Sequence, residues 1–158
     1  MSASANRELI ERFYHAFQQR DAATMAACYH ANATFRDPVF ELRGAHVGAM
    51  WKMLCARGAK LRVDFSSIAA DDSNGSADWQ AWYTFSATGR DVHNIIHAHF
   101  RFADGLIVEH VDDFDFWRWS RQALGPAGRL LGWTPLLRNR VRREAARMLD
   151  RFVSAQTP

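Results

Sequence analysis

Carboxylates and imidazoles are the side chains in this sequence best suited to moving protons, and they sit in unusual company. In the stretch "TFRDPVFEL" Asp37 stands between Phe35 and Phe40 and directly precedes Pro38. Taken alone, the pattern allows a turn carboxylate that bonds its own backbone. It equally allows a charged group aimed into an apolar cavity, where desolvation would raise its pKa toward neutrality and fit it for proton exchange. Further along, "EHVDDFD" holds His110 and Asp112 two residues apart, beside Asp113 and Asp115. An inward carboxylate there either pairs with a buried donor or acts as an acid or base. His93, His97 and His99 alternate along one strand-like run. His-x-His is a known metal geometry, but no acidic fourth ligand follows at a telling spacing. A solvated or dimer-facing strip is therefore expected, with no metal. Cys28 and Cys55 lie in helix-like segments without metal-type spacing and read as two free thiols of a cytosolic protein.

The elements that must position these groups follow from periodicity. "NRELIERFYHAFQQRD" carries a helical stripe of Leu9, Ile10, Phe13, Tyr14 and Phe17, with Asn6 as a plausible N-cap. Asp21 caps a short second helix with Met25, Cys28 and Tyr29 on its buried side. "ATFRDPVF" is a short extended piece broken at Pro38. "GAHVGAMWKMLCARG" makes a third helix through Val47, Met50, Trp51 and Leu54, closed by Gly58. From residue 60 the period changes to two. Strands are expected in "KLRVDFSSIAAD", "ADWQAWYTFSAT", "VHNIIHAHFRF" and "LIVEHVDDFDFW", separated by the turn signals "DSNGS", "GRD" and "ADG". The Gly/Pro-punctuated apolar segment "QALGPAGRLLGWTPLL" is expected to fold over the mouth of the domain as a lid. A terminal helix, "RNRVRREAARMLDRFV", presents Val141, Ala145, Met148, Leu149 and Phe152 on one side. Helices followed by a meander of long antiparallel strands indicate an α+β fold with the helices on one sheet face.

The chain has 158 residues, the length of one domain, and 48% hydrophobic with 13% aromatic residues suits a packed core. Residues 1–116 hold 11 Lys/Arg against 15 Asp/Glu, and residues 117–158 hold nine against two, so a body of net −4 precedes a tail of net +7. Nucleic-acid binding would more usually place the basic residues on the folded platform and is not expected. The tail helix more simply docks on the body or on a partner subunit, so membrane-surface contact is not expected either. No apolar run approaches the roughly 20 residues of a membrane span. "MSASANRE" lacks the apolar core of a secretory signal, and a cytoplasmic location is the expectation.

This element order, together with "RDAATMAACYHANATFRDPVF" and "HFRFADGLIVEHVDDFD", resembles the nuclear transport factor 2-like superfamily, which includes ketosteroid isomerase, scytalone dehydratase, limonene epoxide hydrolase and the SnoaL-like polyketide cyclases. The resemblance implies a cone-shaped curved antiparallel sheet wrapped around N-terminal helices over residues 1–117. Residues 118–158 add the lid segment and a basic C-terminal helix packed on the same domain. It also implies a homodimer and an apolar small-molecule ligand. Asp37 matches the general base of ketosteroid isomerase, a system in which pKa tuning by an apolar site is well established. The two oxyanion donors of that enzyme fall on Phe13 and Ala98, so ketosteroid isomerisation by its mechanism is disfavoured. Asp112 coincides with a water-activating aspartate of limonene epoxide hydrolase. The arginine and second aspartate of that enzyme fall on Trp79 and Ala81, so epoxide hydrolysis is disfavoured too. SnoaL-like cyclases place an acid–base aspartate in this last strand, followed by a segment like "WRWSRQALG". Anchored on that alignment, Trp79, Ala81, Tyr83 and Phe85 point inward, as do Ala98, Phe100 and Phe102, and His110, Asp112, Phe114 and Phe116.

The resemblance thus assembles Asp37, Asp112, His110 and Tyr83 as candidate catalytic residues. Phe13, Tyr14, Phe17, Met50, Trp51, Leu54, Trp79, Phe85, Ala98, Phe100 and Phe114 are the expected ligand-lining wall. Two carboxylates near one another separate their pKa values, leaving one acid and one base. A histidine adds a second proton carrier, and a tyrosine can donate to a carbonyl. Such a set suits isomerase, cyclase or lyase chemistry on an apolar carbonyl compound without a cofactor. A non-catalytic carrier of an apolar small molecule is the alternative, and a protein-interaction module using the sheet surface is a third reading.

Overall fold

A computed structural model describes residues 2–58 and 60–157. The first helix, α1 (Ala3–Gln18), starts when the Ser2 side chain accepts the Ala5 N–H. Its stripe of Leu9, Ile10, Phe13, Tyr14 and Phe17 is at most 4% exposed and forms the centre of the core. Asn6 is no cap: it lies inside the helix, and its Nδ2 donates to the Asp71 carbonyl, pinning α1 to the turn between two strands. Asp21 caps α2 (Ala22–Ala27) through the Thr24 N–H, as expected. Tyr29, expected on that helix, instead opens strand β1 (Tyr29–Arg36). A short β2 (Glu41–Arg43) returns beside it, and α3 (Ala45–Arg57) follows.

The meander then runs β3 (Arg62–Ala70), β4 (Asn74–Phe85), β5 (Arg90–Ala103) and β6 (Leu106–Asp113). Asp104 and Gly105, both at positive φ, make the last tight turn. The six strands form one curved, unclosed sheet in the order β2-β1-β6-β5-β4-β3, antiparallel except for the parallel β1–β6 pair. The α+β cone expected from the sequence is therefore present. Period-two alternation buries Ala77, Trp79 and Ala81 on β4, Val92, Asn94, Ile96, Ala98 and Phe100 on β5, and His110 and Asp112 on β6, where Ile107 is buried ahead of a register shift.

The segment expected as a loop is helical. α4 (Phe116–Leu124) and α5 (Pro126–Leu131) are joined at Gly125, whose φ of +62° turns the chain between them. α4 buries Phe116, Trp119 and Ala123 against Val92 in a second core cluster that Val39, Tyr83 and Phe85 border. It also covers backbone that β6 is too short to pair: Gln122 accepts the His93 N–H, and Arg118 and Gln122 donate to the His93 carbonyl. α6 (Pro135–Gln156) begins at the Thr134 cap and buries Leu149, with Met148, Phe152 and Val153 packed on the main core.

Candidate active site

The sheet register determines which polar groups meet inside the cone. On β6, His110 lies between Phe35 of β1 and Phe100 of β5, and Asp112 lies opposite Ala98. Both are almost fully buried, at 0% and 2% exposure. Because Ala98 is small, the Trp79 indole of β4 reaches across β5, and its Nε1–H donates to Asp112 Oδ1 at 3.2 Å. His110 Nε2 lies 3.0 Å from the same oxygen. On its other side His110 Nδ1 is 2.6 Å from the Tyr29 hydroxyl, which also accepts from Trp51 Nε1 at 2.9 Å.

Indole N–H groups only donate and a carboxylate only accepts, and with the imidazole proton assigned to Nε2 the chain runs one way. Trp51 donates to Tyr29, Tyr29 donates to His110 Nδ1, and His110 Nε2–H donates to Asp112. The network places the imidazole between a phenol and a carboxyl group. Burial, with the Asp112 charge second, pushes the Tyr29 hydroxyl well above its ordinary pKa, so it stays a proton donor. The wall around these groups is aromatic. Phe13, Phe35 and Phe100 have ring centroids 5.7, 5.1 and 4.4 Å from the His110 ring. Phe17 packs edge-on against Trp51 and Trp79. Tyr14 stacks on Phe65, and its buried hydroxyl has no hydrogen-bond partner among the described residues.

A second group of polar residues centres on Asp37 and Tyr83. Asp37 follows β1 and is the turn carboxylate that the first sequence reading describes. Its Oδ1 accepts the Val39 and Phe40 N–H groups at 2.7 and 2.6 Å, while its own N–H donates to the Phe40 carbonyl. Its Oδ2 accepts from no described side chain or backbone group. Burial raises the carboxyl to about 7 against the pull of those two N–H groups; the Asp112 charge raises it further and the Arg142 guanidinium lowers it. Asp37 and Asp112 are thus electrostatically coupled, although they belong to different clusters. Tyr83, on β4, accepts from Trp119 Nε1 at 2.7 Å. Burial pushes its hydroxyl up to about 12, with the Asp37 charge adding to the rise. Its phenolic proton has no acceptor among the described residues. Two tryptophan-to-tyrosine pairs therefore exist, and only the inner one passes its proton to a protein group.

Met50, Trp51 and Ala98 are buried in the main core, Leu54 and Phe114 border it, and Phe85 packs edge-on against Trp119. Two open surface concavities, of about 770 and 410 Å3, are lined by other residues, save that Trp79 and Phe114 edge the second. His93 stacks on Trp82, and His97 pairs with Asp78 on the outer sheet face. Three contributors escaped the sequence reading: Tyr29, Trp119 and Arg142. Each acts through a tertiary partner, and no spacing signals it.

A family model for the SnoaL-like domain matches residues 10–110. The chain belongs to the SnoaL-like domain family. The match spans α1 through His110 and so holds Asp37, Tyr83 and His110, while Asp112 and all that follows lie beyond it. Solved structures with the same architecture include a limonene-epoxide-hydrolase-like epoxide hydrolase of Mycobacterium tuberculosis, at 19% identity and TM-score 0.66, covering 82% of this chain and 96% of that one. A provisionally assigned polyketide cyclase from Silicibacter reaches TM-score 0.67 at 19% identity, covering 77% and 97%. A provisionally assigned ketosteroid isomerase from Kribbella flavida gives 0.57 at 13%, covering 72% and 79%. These likenesses establish the fold of this SnoaL-like protein. No curated protein matches it by sequence.

Proposed function

We propose that this SnoaL-like protein is a cofactor-independent acid–base enzyme, performing isomerase, cyclase or lyase chemistry on an apolar carbonyl compound. The observation that carries the reading is a carboxyl raised to about 7 with one uncommitted oxygen, electrostatically coupled to a phenol whose proton has no acceptor among the described residues. In this scheme Asp37 Oδ2 takes a proton from the carbon next to the substrate carbonyl. The Tyr83 hydroxyl donates a hydrogen bond to the carbonyl oxygen as charge develops there. Asp37 then returns the proton to another carbon, or the electron pair expels a leaving group or closes a ring. Asp112, held by His110 and Trp79, is the second proton carrier in the interior. The orphan Tyr14 hydroxyl is a polar contact for a ligand that reaches the core.

Because the natural substrate is unspecified, the test reads the elementary step. Apolar cyclic ketones are incubated in D2O, and exchange of the hydrogens beside the carbonyl is followed by NMR. Wild type should accelerate exchange. Asp37→Asn should lower the rate at least about 1,000-fold with ligand affinity within a few fold, and Tyr83→Phe should lower kcat more than it raises KM. Exchange that persists in Asp37→Asn rejects the assignment.

A second reading, a non-catalytic carrier of an apolar small molecule, draws support from the inner network. There His110 has both nitrogens engaged, and Asp112 Oδ1 is shared by two donors, a pattern suited to holding a structure. Tryptophan quenching by ketones without hydrogen exchange would select this reading. Under both readings we propose a homodimer joined through the outer face of β3, β4 and β5.

A further inference from the structure

The later part of the apolar segment before the terminal helix faces outward. Leu130, Leu131, Trp133 and Leu136 are 71%, 47%, 72% and 73% exposed, and Trp117 beside them is 43% exposed. They form one ridge. Trp117 Nε1 donates to the Arg129 carbonyl, a Cβ at Gly132 would lie 3.0 Å from the Trp117 ring, and Trp133 Nε1 donates to the Leu130 carbonyl. Both indole N–H groups are thus answered from within, and the rings offer apolar faces outward. The ridge is also held rigidly. A Cβ at Gly128 would fall 1.8 Å from the Ser120 carbonyl oxygen, so α4 and α5 touch backbone to backbone.

Directly beside the ridge lies the 770 Å3 concavity, lined by Arg90, Arg118, Arg121 and Arg129, with Asp91 its one carboxylate. Arg121 lies over the Trp117 ring at 4.5 Å, joining the cationic floor to the apolar crest. Arg90 and Arg118 each give one N–H to a backbone carbonyl and keep further donors free. No helix among the described residues is long and apolar enough to cross a membrane.

We propose that this corner of the molecule docks on the surface of an anionic lipid bilayer. Trp133, Leu130 and Leu136 would insert at the headgroup–acyl boundary, and lipid phosphates would enter the arginine-lined concavity. Tryptophan and leucine flanked by arginine, and little acid, match such a layer in both polarity and charge. A second copy of the chain offers a poorer counterpart. Several of its acidic groups are already engaged: Asp78 with His97, Glu109 with Arg101, Asp91 with Thr84, and Asp71 in its own turn.

The test uses the full chain with vesicles of phosphatidylcholine alone or with about one third phosphatidylglycerol. Co-sedimentation and a blue shift of tryptophan emission are expected with the anionic vesicles only, weakening as salt rises. Trp133→Ser combined with Leu136→Ser should reduce binding at least about tenfold and abolish the blue shift. Arg121→Glu combined with Arg129→Glu should reduce it more than about 25-fold, at about fivefold per lost cation and more for reversal. Far-UV circular dichroism of both variants should match wild type, since all four side chains are exposed. The absence of anionic-vesicle binding overturns the proposal, as does binding that both variants retain. Calorimetric binding of inorganic phosphate without vesicle binding would overturn it in favour of a site for a soluble anion. Self-association lost in the Trp133/Leu136 variant, again without vesicle binding, would overturn it in favour of a second copy.

Discussion

Two backbone N–H groups donate to Asp37 Oδ1, which alone would hold the carboxyl low, yet burial prevails and ionisation waits until about pH 7. In the unfolded chain the same group ionises near 4. Between those limits the folded state keeps a proton that the unfolded state has released, so stability falls as pH rises through the window and stays lower above it. Asp37→Asn keeps an oxygen for the two N–H groups and removes the ionisation. It should therefore stabilise the protein at pH 8 by about 1–3 kcal/mol, allowing for solvent screening, and by almost nothing at pH 3.5. Urea unfolding at the two pH values measures this, and an equal effect at both would contradict the linkage. Tyr29 is the residue on which the inner network turns, because its one hydroxyl both accepts and donates. Tyr29→Phe leaves the Trp51 N–H and His110 Nδ1 unpaired in a dry core. The expected cost is about 2–4 kcal/mol by the same assay. A loss below about 0.5 kcal/mol would mean that the hydroxyl is not placed between those partners.

At the scale of elements, α6 reaches Asp37 through one side chain: Arg142 Nε donates to the Pro38 carbonyl at 3.0 Å, and its charge lowers the neighbouring Asp37 pKa. Arg142→Gln should move the acid limb of the exchange rate upward in pH while leaving the plateau nearly unchanged; a limb that stays in place would detach α6 from the chemistry. The helix itself was legible in the sequence through its stripe of Val141, Ala145, Met148, Leu149 and Phe152. So were α1, through its apolar period alone, and α3 and the hairpins, in which that period ends at a turn or capping residue. Tyr29 was misread because the parallel pairing of β1 with β6, with a register shift between Tyr29 and Thr34, draws it out of the helical pattern. Residues 122–131 read as a lid segment because Gly125 and Pro126 look like loop punctuation, whereas they mark a joint between two helices, with the proline at the first turn of α5. Asn6 looked like a cap because caps and tertiary amide contacts use the same side chain. Asp37, Tyr83, His110 and Asp112 could be named in advance through resemblance. Tyr29, Trp119 and Arg142 could not, since each is defined by a partner 22 to 104 residues away.

For the molecule as a whole, the open sheet leaves an outer surface that no helix among the described residues covers across its middle. Arg62 lies 3.9 Å over the Trp82 ring, Trp82 stacks on His93 at 4.5 Å, and the His97–Asp78 pair lies further along. Between them Ile95 is half exposed, at mid-strand on β5 with β4 alongside. Flat, mixed, aromatic-rich surfaces of this kind suit a twofold partner, because the same patch on two copies can be self-complementary. If the homodimer forms here, each central side chain meets its own copy or a close neighbour of it across the axis. Ile95→Lys would then set two ammonium groups against each other in a closing interface, and the neighbouring Asp78 is already held by His97, whose hydrogen bond is the main cause of its lowered pKa. Sedimentation equilibrium should show a dimer for wild type and a monomer for Ile95→Lys, with unchanged circular dichroism. The exposed position carries little folding cost. A wild-type monomer, or a variant dimer of unchanged affinity, would move the interface elsewhere. The ridge of Trp133 and Leu136 lies on a different element, so the Ile95 variant should keep its vesicle binding, and the two surfaces can be separated in one preparation.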